Sequence, residues 1–369
     1  MKNTYEKVKL SYNQVLLLII VLRLILGLTY MPVVHVSKGN QDTWIILLLS
    51  IIYKIIFNFP LIYLSNKFNN FNLLEFADKI MGKFLGTIIT MFYTIIFLLA
   101  NILFVTIFVE VLDVALFPLT PTWFNTVLAF ITCAYISYKG LNGLCRFGET
   151  AVPIIIGGTF FLVLLGVNNF DFSELLPILS DSSFKDLNLG AMNTSFRFAD
   201  ILILVMITPK LTNKKDLNKI FINSTIYSIL MVTILIVATQ ITLGVEYTKH
   251  ANFPFLIYTR TISIGEIYGF DSLYIGIWIM GNIMKISAYL YFSTIALEKL
   301  TRKNNQVFII PVSIILIILT IFIKDREPIL PIAGRLNAII QILSIIAIII
   351  VPSIMLIVYY FRRKRLRNT

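Results

Sequence analysis

Four stretches of this sequence set polar or ionisable side chains inside otherwise apolar runs. Lys285 stands in the middle of "IWIMGNIMKISAYLYF", and Arg197 and Asp200 lie at i, i+3 in "SFRFADILI". In "TIFVEVLDVALFPLTP", Thr106 and Glu110 share a helical face, with Asp113 three residues on. In "LGLTYMP", Gly27 and Thr29 precede Pro32. A charge in an apolar segment must be neutralised or put to use, because burying it alone is too costly. The chemistry on offer is binding, in which charged groups and loosened backbone coordinate a substrate or an ion. The sequence contains no nucleotide-binding glycine loop, nucleophile with its base, or cluster of metal ligands, so neither a metal nor a cofactor is implied. Cys133 and Cys145 imply no disulfide framework, and His35 and His250 are too far apart to make a metal site alone.

The elements that position these residues follow from composition. Of 369 residues, 58% are hydrophobic and only 14% charged, and the mean hydropathy is +0.86. A soluble domain carries nearly twice that charge, so the chain reads as an all-α polytopic membrane protein embedded in lipid. A spanning helix needs about 20 largely apolar residues. Such runs occur ten times, near 12–35, 43–64, 84–112, 121–139, 151–168, 190–209, 219–243, 270–297, 306–323 and 337–361. The first run is too long for a signal-peptide core and is expected to be a retained span. No hydrophilic stretch is long enough to fold alone, so one transmembrane domain over 1–369 is expected.

The net charge of +12 is a topology signal, with no basic stripe of the kind that binds nucleic acid. With the N-terminus inside, most of the Lys and Arg residues fall in alternate, inner loops and in the basic tail over 362–369. Both termini are therefore expected in the cytoplasm. Arg23, Lys54 and Lys285 are left inside the spans, as structural partners or lining water. "NLLEFADKIMGKF" places Leu73, Phe76, Ala77, Ile80 and Phe84 on one face, as an interfacial helix would. The outer stretch 246–268 is expected to hold a short helix or two. The acidic outer stretch 169–189 reads as a solvated loop.

Each polar stretch admits two readings. "LGLTYMP" is an interruption or a kink. Arg197 and Asp200 form a neutralised pair, or a break exposes Asp200 to a cavity. Glu110 titrates at a binding site, or only neutralises Arg23, Lys54 or Lys285.

The order of features resembles the spore permease family, the membrane-embedded B subunits of nutrient germinant receptors. The matching stretches are "LSYNQ", "GLTYMP", "DTW", "VEVLDVALFPLTP", "LPIL", "FADILILVMITP" and "GFDSLYIGIWIMGNIMKIS". The resemblance implies the fold of the amino acid–polyamine–organocation transporters, a 5+5 inverted repeat with helices 1 and 6 broken around the ligand. The repeats would cover about 12–168 and 190–361. Carried over by position, the ligand-binding candidates are Gly27, Leu28, Thr29, Thr106, Glu110, Asp200, Ile203 and Lys285. In sodium-coupled relatives a cation sits between the first and eighth helices, where the Lys285 ammonium would stand in for it; the alternative is a simple salt bridge from Lys285 to Glu110 or Asp200. The chain departs from the family in carrying Ile25 where a first glycine is usual, and Tyr268 and Gly269 where an acid–arginine pair is common.

What the resemblance implies is a nutrient sensor of the spore inner membrane and not an enzyme. It would bind an amino acid and signal to an A-type channel subunit and a C-type lipoprotein subunit to trigger germination. The alternative is an amino-acid permease, proton-coupled through Glu110.

Overall fold

The computed structural model describes residues 9–29, 40–180, 182–196, 200–326 and 329–366. Pro32, His35 and Arg197 lie outside them. Fifteen α-helices make up the architecture. The first six are α1 (Tyr12–Thr29), α2 (Thr43–Lys67), α3 (Leu73–Met81), α4 (Lys83–Val111), α5 (Thr122–Tyr138) and α6 (Gly140–Leu165). They are followed by α7 (Phe184–Ser195), α8 (Asp200–Ile207), α9 (Leu217–Leu243), α10 (Val245–His250) and α11 (Pro254–Thr261). The chain continues with α12 (Asp271–Thr301), α13 (Gln306–Arg326), α14 (Ile329–Ile345) and α15 (Val351–Leu366). A two-residue hairpin, β1 (Ser263–Ile264) with β2 (Ile267–Tyr268), joins α11 to α12.

Eight helical segments among the described residues are long and apolar enough to cross a membrane. A ninth span is the pair α7 and α8, bent by 44° at a short break. With α5, 17 residues long, they make ten, and α12 is the eighth. The sixth span expected at 190–209 is thus two helices, the first starting at Phe184. Local chemistry starts that helix: the Ser183 hydroxyl accepts from the Asp186 N–H, and the Asp186 carboxylate reaches back to Ser183.

The amphipathic stretch expected at an interface forms α3, opened by a reciprocal cap between Asn72 and Glu75. It buries Leu73, Phe76, Ala77 and Ile80 as expected, together with Leu74. Phe84 departs from the expected face. Gly82, at φ 87°, turns the chain into α4, and Phe84 there is 79% exposed. One turn of π-helix follows α4 (Leu112–Leu116) and another precedes α15 (Ile346–Ile350). Each lies close to a proline, Pro118 or Pro352, whose missing N–H breaks the regular ladder.

The core lies around α1, α8 and α12. All eight residues of α8 are buried. α12 packs against α4, α5, α6 and α1, while α1 packs against α9, α6 and α8.

Candidate functional site

Five residues of α12, Tyr274, Trp278, Gly281, Lys285 and Tyr289, recur at spacings of three or four and so share one helical face. That face meets α1 running the other way. At one end, the Tyr274 hydroxyl donates to the Leu28 carbonyl (2.8 Å) and Trp278 Nε1 donates to Thr29 Oγ1 (2.8 Å). These contacts close the C-terminal turn of α1, whose last carbonyls have no partner within the helix. Thr29 Oγ1 in turn donates to the Ile25 carbonyl (2.7 Å).

Midway, α12 comes so close to α1 that a Cβ on Gly281 would overlap the Ile25 side chain. The unusual isoleucine is therefore accommodated by a missing side chain across the helix contact. Gly27 is tight on another side, where a Cβ would lie 2.7 Å from Val232 Cγ2 of α9.

At the other end, Lys285 is fully buried. Its ammonium donates to the Leu22 carbonyl (2.5 Å) and meets Asp200 Oδ1 at 3.4 Å. The same oxygen accepts a 2.7 Å hydrogen bond from the Tyr289 hydroxyl. Phe104 of α4 lies under the ammonium, 4.4 Å from ring centre to Nζ, and meets the Tyr289 ring edge-on at 4.9 Å. Charge pairing, a carbonyl and an aromatic face together replace the water that Lys285 loses.

Gly27, Leu28 and Thr29 thus form the last turn of an uninterrupted helix, and residues 30–39 lie outside the described residues. Asp200 opens α8, and Ile203 is buried one turn along it. Thr106 is buried on α4, and its hydroxyl meets no hydrogen-bond partner among the described residues.

Glu110 sits elsewhere. Its carboxylate is 3.8 Å from Lys324 of α13, which also contacts Asp113. Asp113 accepts further from Thr122 (2.8 Å) and Asn125 (2.7 Å) at the start of α5. Glu110 therefore belongs to a clasp between α4, α5 and α13. It does not neutralise Lys285, whose partner is Asp200.

A further cation lies on α1 beside Leu22. Arg23 Nη1 donates to the hydroxyls of Ser224 and Thr225 on α9, at 3.1 Å each. Sequence reasoning missed Tyr274, Trp278, Tyr289 and Phe104. The spacing of the first three with Lys285 was a signal available in the sequence.

The arrangement suits binding and conformational coupling. No group of three metal-ligating side chains occurs among the described residues, and the buried carboxylate is engaged by an ammonium and a phenol.

Comparison with known proteins gives the family and the fold. A family model described as spore germination protein, the spore permeases, matches residues 9–329. Spore germination protein KB of Bacillus subtilis is 24% identical over 326 residues, covering 87% of each chain. Among solved structures, MhsT in complex with L-phenylalanine matches at a TM-score of 0.67 and 13% identity, over 96% of this chain and 99% of that one. A Na+-coupled sialic acid symporter in a substrate-bound outward-open state matches at 0.62 and 15% identity, over 93% and 79%. At such identities the likeness establishes the fold, which is the inverted-repeat arrangement of transporters.

Proposed function

Because the chain belongs to the spore permease family of spore germination proteins, we propose that it is the nutrient-sensing membrane subunit of a spore germinant receptor. The observation that carries this reading is the buried polar cluster joining α1, α8 and α12 inside a transporter fold. The nutrient, an amino acid, binds beside that cluster. Thr106 offers it an unengaged hydroxyl, Gly27, Leu28 and Thr29 offer the end of α1, and Asp200, Ile203 and Lys285 line the opposite side. Glu110 acts from the outer clasp.

Binding there shifts the balance between two arrangements of α1 and α8 against α12, because a ligand biases states only through differential contacts. The bias passes to an A-type channel subunit and a C-type lipoprotein subunit. The protein resides in the spore inner membrane with both termini in the cytoplasm.

The test deletes the gene and follows dipicolinate release from purified spores exposed to single amino acids. Loss of response to one nutrient, with the others intact, is expected. Unchanged germination across the panel would reject the reading. The fold likeness to two transporters favours a second reading, an amino-acid permease, and uptake of labelled amino acids into proteoliposomes decides between them.

A further inference from the structure

Arg23 is engaged on one side only. Its Nη1 reaches Ser224 and Thr225, while Nε and Nη2 are sealed from solvent and meet no acceptor among the described residues. The side chain is buried, with the residue 6% exposed. Nε and Nη2 together form the side-on edge of the guanidinium, the edge that fits a carboxylate with two parallel hydrogen bonds. A guanidinium does not shed its proton to escape burial.

The charge around it is unbalanced. Among the described residues Asp200 pairs with Lys285, and neither Arg23 nor Lys54 makes an ion pair with a carboxylate. Asp200 Oδ1 is already engaged by Lys285 and Tyr289. The other intramembrane carboxylate pair, Glu110 and Asp113, is committed to Lys324. The two hydroxyls facing Arg23 supply dipoles and no countercharge. Buried charges are ordinarily paired.

We propose that the Nε–Nη2 edge of Arg23 seats a carboxylate anion between α1 and α9. This site is distinct from the end of α1 at Gly27–Thr29. It rests on the reading that the core binds a nutrient only for the source of the carboxylate, which is either the nutrient's own group or a free small carboxylate.

The test uses the purified full chain in detergent. Thermal unfolding is followed as sodium acetate replaces sodium methanesulfonate at constant ionic strength, with chloride and neutral acetamide as parallel arms. Acetate should raise the midpoint temperature saturably and acetamide should not. In Arg23→Gln the acetate concentration for half effect should rise roughly tenfold or more, with Arg23→Lys intermediate because it keeps the charge and loses the fork. No saturable acetate effect in the unmodified protein overturns the proposal, whether or not the variants fold. So does saturable stabilisation by chloride alone, or an acetate effect unchanged in Arg23→Gln.

The source is then read in spores. A response to an amino acid but not to its carboxamide assigns the site to the nutrient's carboxylate, and equal responses assign it to a free anion. A protein that binds acetate through Arg23, but whose deletion leaves germination unchanged, keeps this inference and sinks the receptor reading.

Discussion

Lys285 and Asp200, 85 residues apart in sequence, meet at 3.4 Å with side chains 0% and 2% exposed. Such a pair contributes little net stability, yet losing one member leaves a charge stranded. Asp200→Ala and Lys285→Met should each destabilise the purified protein by about 3–5 kcal/mol. Lys285→Met combined with Asp200→Ala should recover part of that loss. Denaturation of the singles and the double in detergent reads the coupling. Strictly additive effects would mean that the two groups do not depend on each other.

The close approach of Ile25 to Gly281 predicts a size compensation. Gly281→Ala should cost about 1–3 kcal/mol, since an added methyl there forces Ile25 off its position. Ile25→Val removes the Cδ1 atom and keeps Cγ1, which also lies inside the contact, so it should restore only part of the stability in the double variant. Unfolding midpoints of the two variants and the double check this. A double variant no more stable than Gly281→Ala alone would place the strain elsewhere.

The Lys285 ammonium already lies between α1 and α12, 2.5 Å from the Leu22 carbonyl. On the proposed reading, a fixed cation in that position would make a dissolved one redundant. Nutrient-triggered dipicolinate release should therefore be unchanged, within about twofold, when choline replaces sodium. A response that tracks sodium concentration would argue that the ion has its own seat.

The clasp of Glu110 and Asp113 on Lys324 has unequal members. Glu110→Gln removes the more distant contact, at 3.8 Å, and should cost no more than about 1 kcal/mol. Lys324→Met leaves two carboxylates side by side in a largely buried setting and should cost about 3–5 kcal/mol. If Glu110 carried coupled protons, Glu110→Gln would change how the response varies with pH; with Glu110 held by Lys324, the pH profile of Glu110→Gln should match that of the unmodified protein.

Much was legible in the chain itself. Transfer of apolar side chains into lipid is a local, additive property, so the spans, the amphipathic α3 and the two short helices of the 246–268 stretch could be read directly. A lysine among apolar residues was recognisable as a buried charge for the same reason. The order of the weak motifs, from "LSYNQ" to "GFDSLYIGIWIMGNIMKIS", identified the family.

Pairing between distant helices is a different kind of information. The sequence allowed Lys285 to find Glu110 or Asp200 and left Arg23 and Lys54 as structural partners or as residues lining water. Only the packing of α8 and α4 against α12 gives the ammonium to Asp200 and Glu110 to Lys324. The same holds for Ile25, an unexplained departure in the sequence that makes sense once α12 brings Gly281 against it. Periodicity fixes which face a residue occupies, but which face it meets depends on how remote helices pack, and no local pattern encodes that.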